Sequence, residues 1–223
     1  MKVMLATPAY DGRVEVTYTH SLVQTIRLCA ANGIAVHPVW WPGEALVQHA
    51  RNMLVAEALE ARVDAVLFVD SDQEWQPEVA LKLLKYPVDV VGAPVRKKSD
   101  TEESYNVRSH TPHFPVGPSG LWIADAIGTG FLKVSQKALQ AVWDASQPYS
   151  KGNQSTRMVF DVPVIDGQLY GEDTVFCHKL RECGYDIHVD FKAQVGHVGN
   201  KTYRGDFENY VKRLQAATLR VVG

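Results

Sequence analysis

The chain has 223 residues, 46% of them hydrophobic and 22% charged, which is enough for one large globular domain or two small ones. A net charge of −2 gives no global attraction to nucleic acid, so only a local basic patch could serve such a partner. No stretch has the length of a bilayer span, and the opening "MKVMLATPAY" meets Pro8 too early for a signal peptide.

Strand-like and helix-like runs alternate through the first half. "KVMLATPAY" is an apolar strand that stops at Pro8. "TYTHSLVQTIRLCAANG" places Leu22, Val23, Ile26 and Ala30 at helical spacing, with Asn32-Gly33 as its stop. "IAVHPVW" is a second strand. "EALVQHARNMLVAEALEAR" is a helix with Val47, Ala50, Leu54 and Ala58 on one face. "DAVLFVD" is the third and most apolar strand, Pro77 opens the helix "PEVALKLLKY", and "VDVVGAP" is a fourth strand. This alternation predicts parallel pairing with helices on both faces.

From Arg96 to Ser119 the period is lost, and a loop of that length in a compact domain is usually functional or mobile. "LWIADAIGTGFLKVS" returns to strand character, and "SQKALQAVWDA" reads as a helix capped by Ser135. "SQPYSKGNQSTR" reads as irregular. "EDTVFCHKLRECG" is a helix ended by Gly184, "YDIHVDF" is a strand, "GHVGNKTYRGD" is a Gly-rich loop, and "FENYVKRLQAATLRVV" is a closing helix. No repeat or linker divides the chain, so residues 1–223 read as a single domain. Cys29, Cys177 and Cys183, an odd number without a CxxC, read as reduced thiols of a cytoplasmic protein.

The chemistry-bearing residues cluster at element ends. Asp70 and Asp72, in "LFVDSDQEW", close the most apolar strand at its carboxyl end, where open α/β sheets bind their ligands. Two neighbouring carboxylates need a positive partner; a hard divalent cation holding phosphate oxygens is one, and capping of the next helix is the plainer alternative. Glu172-Asp173 follows Gly171 at a helix start: the helix dipole accounts for one acid and leaves the other free as a general base. His197 in "VGHVG" is a potential metal ligand or a solvent-facing loop residue. In "IGTGF", Gly128 and Gly130 flank Thr129 and imply a close backbone approach. Arg51 is placed to pair with a diphosphate or to lie on a solvated helix face. Neither a P-loop nor a GxGxxG occurs, which removes the main support for kinase and dinucleotide-dehydrogenase readings, and there is no G-x-S-x-G elbow.

Taken in order, "TPAY" at the first strand end, "ARN" on a helix, "DSD" after the apolar strand, "GTGF" before a helix and "GED" before a strand and "GH" resemble the GT-A fold nucleotide-sugar glycosyltransferases, most closely small family-2-like enzymes of bacteria and phages. The resemblance spans Val3 to about Tyr203. It implies a Rossmann-like mixed central sheet flanked by helices. It implies Mn or Mg on Asp70, Asp72 and His197, with Asp72 the direct ligand and Asp70 nearer the ribose. Thr7, Pro8, Ala9 and Tyr10 would cradle the donor base and ribose, with Arg51 and Gly130 also at the donor. Glu172 and Asp173 would face the acceptor, Asp173 as the base of an inverting reaction; a His ligand is instead frequent in retaining enzymes.

The implied activity is transfer of a sugar from a nucleotide-diphosphate donor, UDP being the commonest nucleotide, to a hydroxyl of a saccharide or of a hydroxymethylated base in phage DNA. The basic residues Arg96–Lys98, Arg108, His110 and His113 are the candidate DNA-phosphate face, although Asp100, Glu102 and Glu103 nearly cancel them. The competing readings are a nucleotidyltransferase of related fold, whose Gly-rich basic stretch "TPAYDGR" matches poorly, and a non-catalytic carbohydrate- or nucleic-acid-binding module.

Overall fold

The computed structural model describes residues 1–110 and 114–221. In chain order it contains β1 (Lys2–Ala9), α1 (Val16–Ala31), β2 (Ala35–Pro42), α2 (Val47–Glu60), β3 (Ala65–Val69), β4 (Gln73–Trp75), α3 (Pro77–Lys85) and β5 (Val90–Gly92). There follow β6 (Val107–Arg108), β7 (Trp122–Ala124), β8 (Ala126–Ile127), β9 (Phe131–Ser135), α4 (Gln136–Ala145), β10 (Pro148–Lys151) and β11 (Gln154–Arg157). The chain ends with β12 (Val164–Ile165), β13 (Gln168–Leu169), α5 (Glu172–Glu182), β14 (Ile187–Val189), β15 (Val195–Val198), β16 (Thr202–Tyr203) and α6 (Phe207–Val221).

Seven strands form one sheet in the order β2-β1-β3-β9-β5-β14-β7. β1 pairs parallel with β2 and with β3, as the alternation predicts. The fourth predicted strand, β5, is not next to β3. β9, the "GTGFLKVS" strand, lies antiparallel between them. An all-parallel reading fails because β9 arrives from the opposite edge, after the long irregular segment, and periodicity carries no direction.

Period-two alternation divides the core cleanly. Met4, Ala6, Val66, Phe68, Leu132 and Val134 face one layer, with Leu54 and Ala58 of α2, Leu139 of α4 and Phe176 of α5. Val3, Leu5, Leu67, Val69 and Phe131 face the other, with Tyr18 and Leu22 of α1 and Leu83 of α3. Every residue of β3 is buried, so its apolar run reflects helices on both faces. The result is the Rossmann-like mixed sheet flanked by helices.

The local punctuation follows the sequence. Ser135 accepts from the Ala138 N–H at 3.2 Å, Pro77 sits in the first turn of α3, and Gly33 and Gly184 have φ of 72° and 86° after α1 and α5. Two segments are more ordered than their sequence suggests. "SQPYSKGNQSTR" folds into the β10–β11 hairpin, turning at Gly152 with φ of 59°. The Gly-rich "GHVGNKTYRGD" supplies β15 and β16, which pair in a small sheet with the unpredicted β4. Both are short polar strands whose pairing partners, not their composition, define them. Among the described residues no helix is long and apolar enough to cross a membrane.

Candidate functional site

The carboxyl end of β3 runs into the turn Asp70-Ser71-Asp72. Three backbone hydrogen bonds pin it: Asp70 N–H to the Gly130 carbonyl (3.1 Å), Gln73 N–H to the Asp70 carbonyl (3.1 Å), and Val198 N–H to the Asp72 carbonyl (2.8 Å). Neither acid caps α3, whose N-cap is Gln76 without a side-chain bond. The two carboxylates diverge to separate cations. Arg51 Nη2 donates to Asp70 Oδ1 at 2.9 Å, and Lys98 Nζ donates to Asp72 Oδ2 at 2.6 Å.

Arg51 is the hub of an acidic cluster. It lies on the buried face of α2, its side chain 4% exposed, and its Nη1 also donates to Glu172 Oε1 at 2.6 Å and Asp173 Oδ1 at 3.3 Å. Burial opposes its charge, but the fields of Asp70, Asp173 and Glu172 prevail and raise its pKa. With both terminal nitrogens on carboxylates, Arg51 is neither the solvated helix-face residue nor a free partner for a diphosphate. It fixes three acids from two distant segments at one sheet edge.

Asp173 is held a second time. Thr129 Oγ1 donates to its Oδ1 at 2.5 Å, and the Thr129 N–H donates to the same atom at 3.3 Å. Among the described residues no hydrogen bond reaches its Oδ2. The glycines around Thr129 make this possible: a Cβ at Gly130 would lie 2.9 Å from Asp70 Oδ2, and one at Gly128 would overlap Asn106 Nδ2. The close approach in "IGTGF" is thus made by the protein's own Asp70 and Asn106.

Asp72 faces His197 on β15, with Nε2 3.3 Å from Oδ2. His197 Nδ1 lies 3.0 Å from the Arg96 carbonyl, which only accepts, so Nδ1 carries a proton. Nε2 is the ring nitrogen turned toward Asp72, an orientation set by the backbone carbonyl at Nδ1, as in imidazoles that ligate metals. Burial opposes ionisation of Asp72, but hydrogen bonds from His197 and Lys98 outweigh it and bring the carboxyl to about 2. Among the described residues no group of three His, Cys, Asp or Glu side chains could hold a metal. The structure brings Asp72 and His197 together, while Asp70 is engaged by Arg51.

The first strand end is only partly open. Thr7 is fully buried, its hydroxyl 2.6 Å from that of Tyr18, whose pKa burial pushes up to about 12. Ala9 is buried, Pro8 half-buried, and Tyr10 69% exposed, so Tyr10 offers the accessible surface there. The basic residues do not form one face. Arg96 Nη1 binds the Arg204 carbonyl, Lys98 binds Asp72, and His110 binds Asp125, while His113 lies outside the described residues. Sequence reading gave no role to Thr129 or to Lys98 as the partner of Asp72; a hydroxyl between two glycines was the one available signal for the former.

By sequence the chain matches no family model and no curated protein. Among solved structures it is similar to A197 from STIV, with 17% identity and a TM-score of 0.55 over 89% of this chain and 86% of that one. That likeness is one of fold. A glycosyltransferase involved in the glycosylation of the major capsid of PBCV-1 aligns at 15% identity and a TM-score of 0.35 over 65% of this chain and 66% of that one. TarS of S. aureus aligns at 15% identity and a TM-score of 0.44, covering 97% of this chain but 39% of TarS.

Proposed function

We propose that the chain is a GT-A-type glycosyltransferase that moves a sugar from a nucleotide-diphosphate donor, UDP-linked, to an acceptor hydroxyl. One observation carries this reading: Arg51 ties Asp70 of the β3 turn to Glu172 and Asp173 of α5 at a single sheet edge. That edge is where an open α/β sheet receives its ligand.

The roles divide as follows. Tyr10 offers a ring to the donor base, and the Asp70 turn receives the ribose. Asp72 and His197, one carboxylate and one imidazole side by side, would hold Mn or Mg next to the donor diphosphate. Such an ion supplies neutralisation of the charge that accumulates on the leaving diphosphate. Lys98, partly exposed and paired to the same Asp72 oxygen, is a second cation at that end. Asp173 Oδ2 takes the proton of the acceptor hydroxyl as its oxygen bonds to the anomeric carbon and the sugar–phosphate bond breaks, releasing the nucleoside diphosphate. Thr129 and Arg51, both on Oδ1, hold the other oxygen and so aim Oδ2. An acid placed as base favours inversion at the anomeric centre. A saccharide acceptor is favoured over a modified base in DNA, because the basic residues that would track a duplex backbone are dispersed and mostly paired.

The test is Asp173→Asn. Removing a general base costs about 10²–10⁴-fold in rate. The expected result is a loss of that order in transfer from a panel of UDP-sugars with UDP affinity unchanged, and an inverted product anomer by NMR with the wild type. Near wild-type turnover, or a retained anomer, removes Asp173 from the mechanism.

A further inference from the structure

Beside Asp173 lies a small pocket of about 180 Å³ between β6, β8 and the first turn of α5. Its walls include Lys97, Arg108, Asn106, Gly128 and Thr174 along with Asp173 itself. The pocket is built, not incidental. Asn106 is stapled on three sides: its Oδ1 accepts from the Val95 N–H at 2.8 Å, its N–H donates to the Val95 carbonyl at 3.1 Å, and its carbonyl accepts from the Gly128 N–H at 2.8 Å. The backbones of Lys97 and Arg108 are fixed as well, through Ser104 and Asp125.

The charge on these walls is unusual for this part of the molecule. The acids Asp70, Glu172 and Asp173 share Arg51, and Glu103 accepts from Tyr105 and Arg213. Lys97 and Arg108, by contrast, have exposed side chains with no ion pair or side-chain hydrogen bond among the described residues. The pocket thus presents two uncommitted cations and one acid whose charge Arg51 already partly offsets. A guanidinium and an ammonium among the residues lining a small cavity supply the charge and donors that bind a phosphate.

We infer that this pocket is an acceptor subsite for a phosphate group, so that the acceptor is a phosphate-bearing saccharide whose attacked hydroxyl lies next to that phosphate. The inference rests on the proposed role of Asp173. Lys97 and Arg108 would bind the phosphate oxygens, and the hydroxyl would fall toward Asp173 Oδ2. A neutral sugar would leave both cations to water, gain no ion pair and bind worse.

The experiment is calorimetric titration of the intact chain with inorganic phosphate, in the presence and absence of saturating UDP, against sodium chloride at equal ionic strength. Phosphate should bind, and Lys97→Met and Arg108→Met should each weaken it about tenfold or more, the scale of a hydrogen bond to a charged group. Asp173→Asn should tighten it, since a negative neighbour is removed. In transfer assays glucose 6-phosphate should outperform glucose, with both methionine variants erasing the difference; an oligonucleotide that outperforms glucose 6-phosphate as acceptor overturns the saccharide assignment. Absence of phosphate binding, or binding that neither variant alters, overturns the subsite. If UDP does not bind while phosphate binding is present and lost in both variants, the subsite stands and the donor reading fails.

Discussion

Replacing Arg51 with Met tests the cluster on which the site is built. The side chain is 4% exposed and makes contacts of 2.6, 2.9 and 3.3 Å to Glu172, Asp70 and Asp173. Removing one partner of a buried ion pair costs about 3–5 kcal/mol, because the remaining charge is stranded. Here three carboxylates are stranded together, but they are 20–37% exposed, so water screens part of their repulsion. The low end, about 3 kcal/mol, is therefore the expected loss at neutral pH. For a chain of this size that corresponds to a fall in Tm of roughly 6–12 °C. Arg51→Lys keeps the charge but has one nitrogen where two are used, so it should fall between wild type and Met. Urea unfolding at pH 7 reads both. A loss below about 1 kcal/mol for the Met variant would refute the hub, since losses that small are ordinary for surface substitutions.

Two further substitutions probe separate parts of the site. Gly128→Ala should cost about 1–3 kcal/mol in urea unfolding, because its Cβ overlaps Asn106 Nδ2 and the stapled Asn106 has little room to give; unchanged stability would contradict the close approach. His197→Ala should weaken Mn affinity, measured by calorimetry, while leaving metal-free stability nearly unchanged. A drop in stability with no change in Mn affinity would make His197 a strand residue that only braces Asp72.

Much of the architecture was legible because its signals are local. The buried run of β3, Pro77 before α3, Ser135 before α4 and the glycines after α1 and α5 each act within a few residues of where they stand. What was not legible depends on partners far along the chain. β4, β15 and β16 exist because Gln73 to Trp75 meets His197 to Val195, more than a hundred residues on. The direction of β9 depends on the path of the segment before it. The same division runs through the site. The positions of Asp70, Asp72, Glu172 and Asp173 at element ends could be read, but their partners could not. That Asp70 belongs to Arg51 and Asp72 to Lys98 and His197 follows from how α2, the 96–106 segment and β15 converge, and no spacing encodes it.

The central claim is a donor site at the Asp72 end of this cluster, and calorimetric titration with UDP, with and without Mn, tests it most directly on the wild-type chain and on Asp72→Asn. Mn-dependent UDP binding is expected for the wild type and loss of that dependence for the variant, which should still fold cooperatively with a midpoint lowered only by the lost Lys98 and His197 contacts. UDP binding of equal strength in both proteins, or none in either, would contradict it.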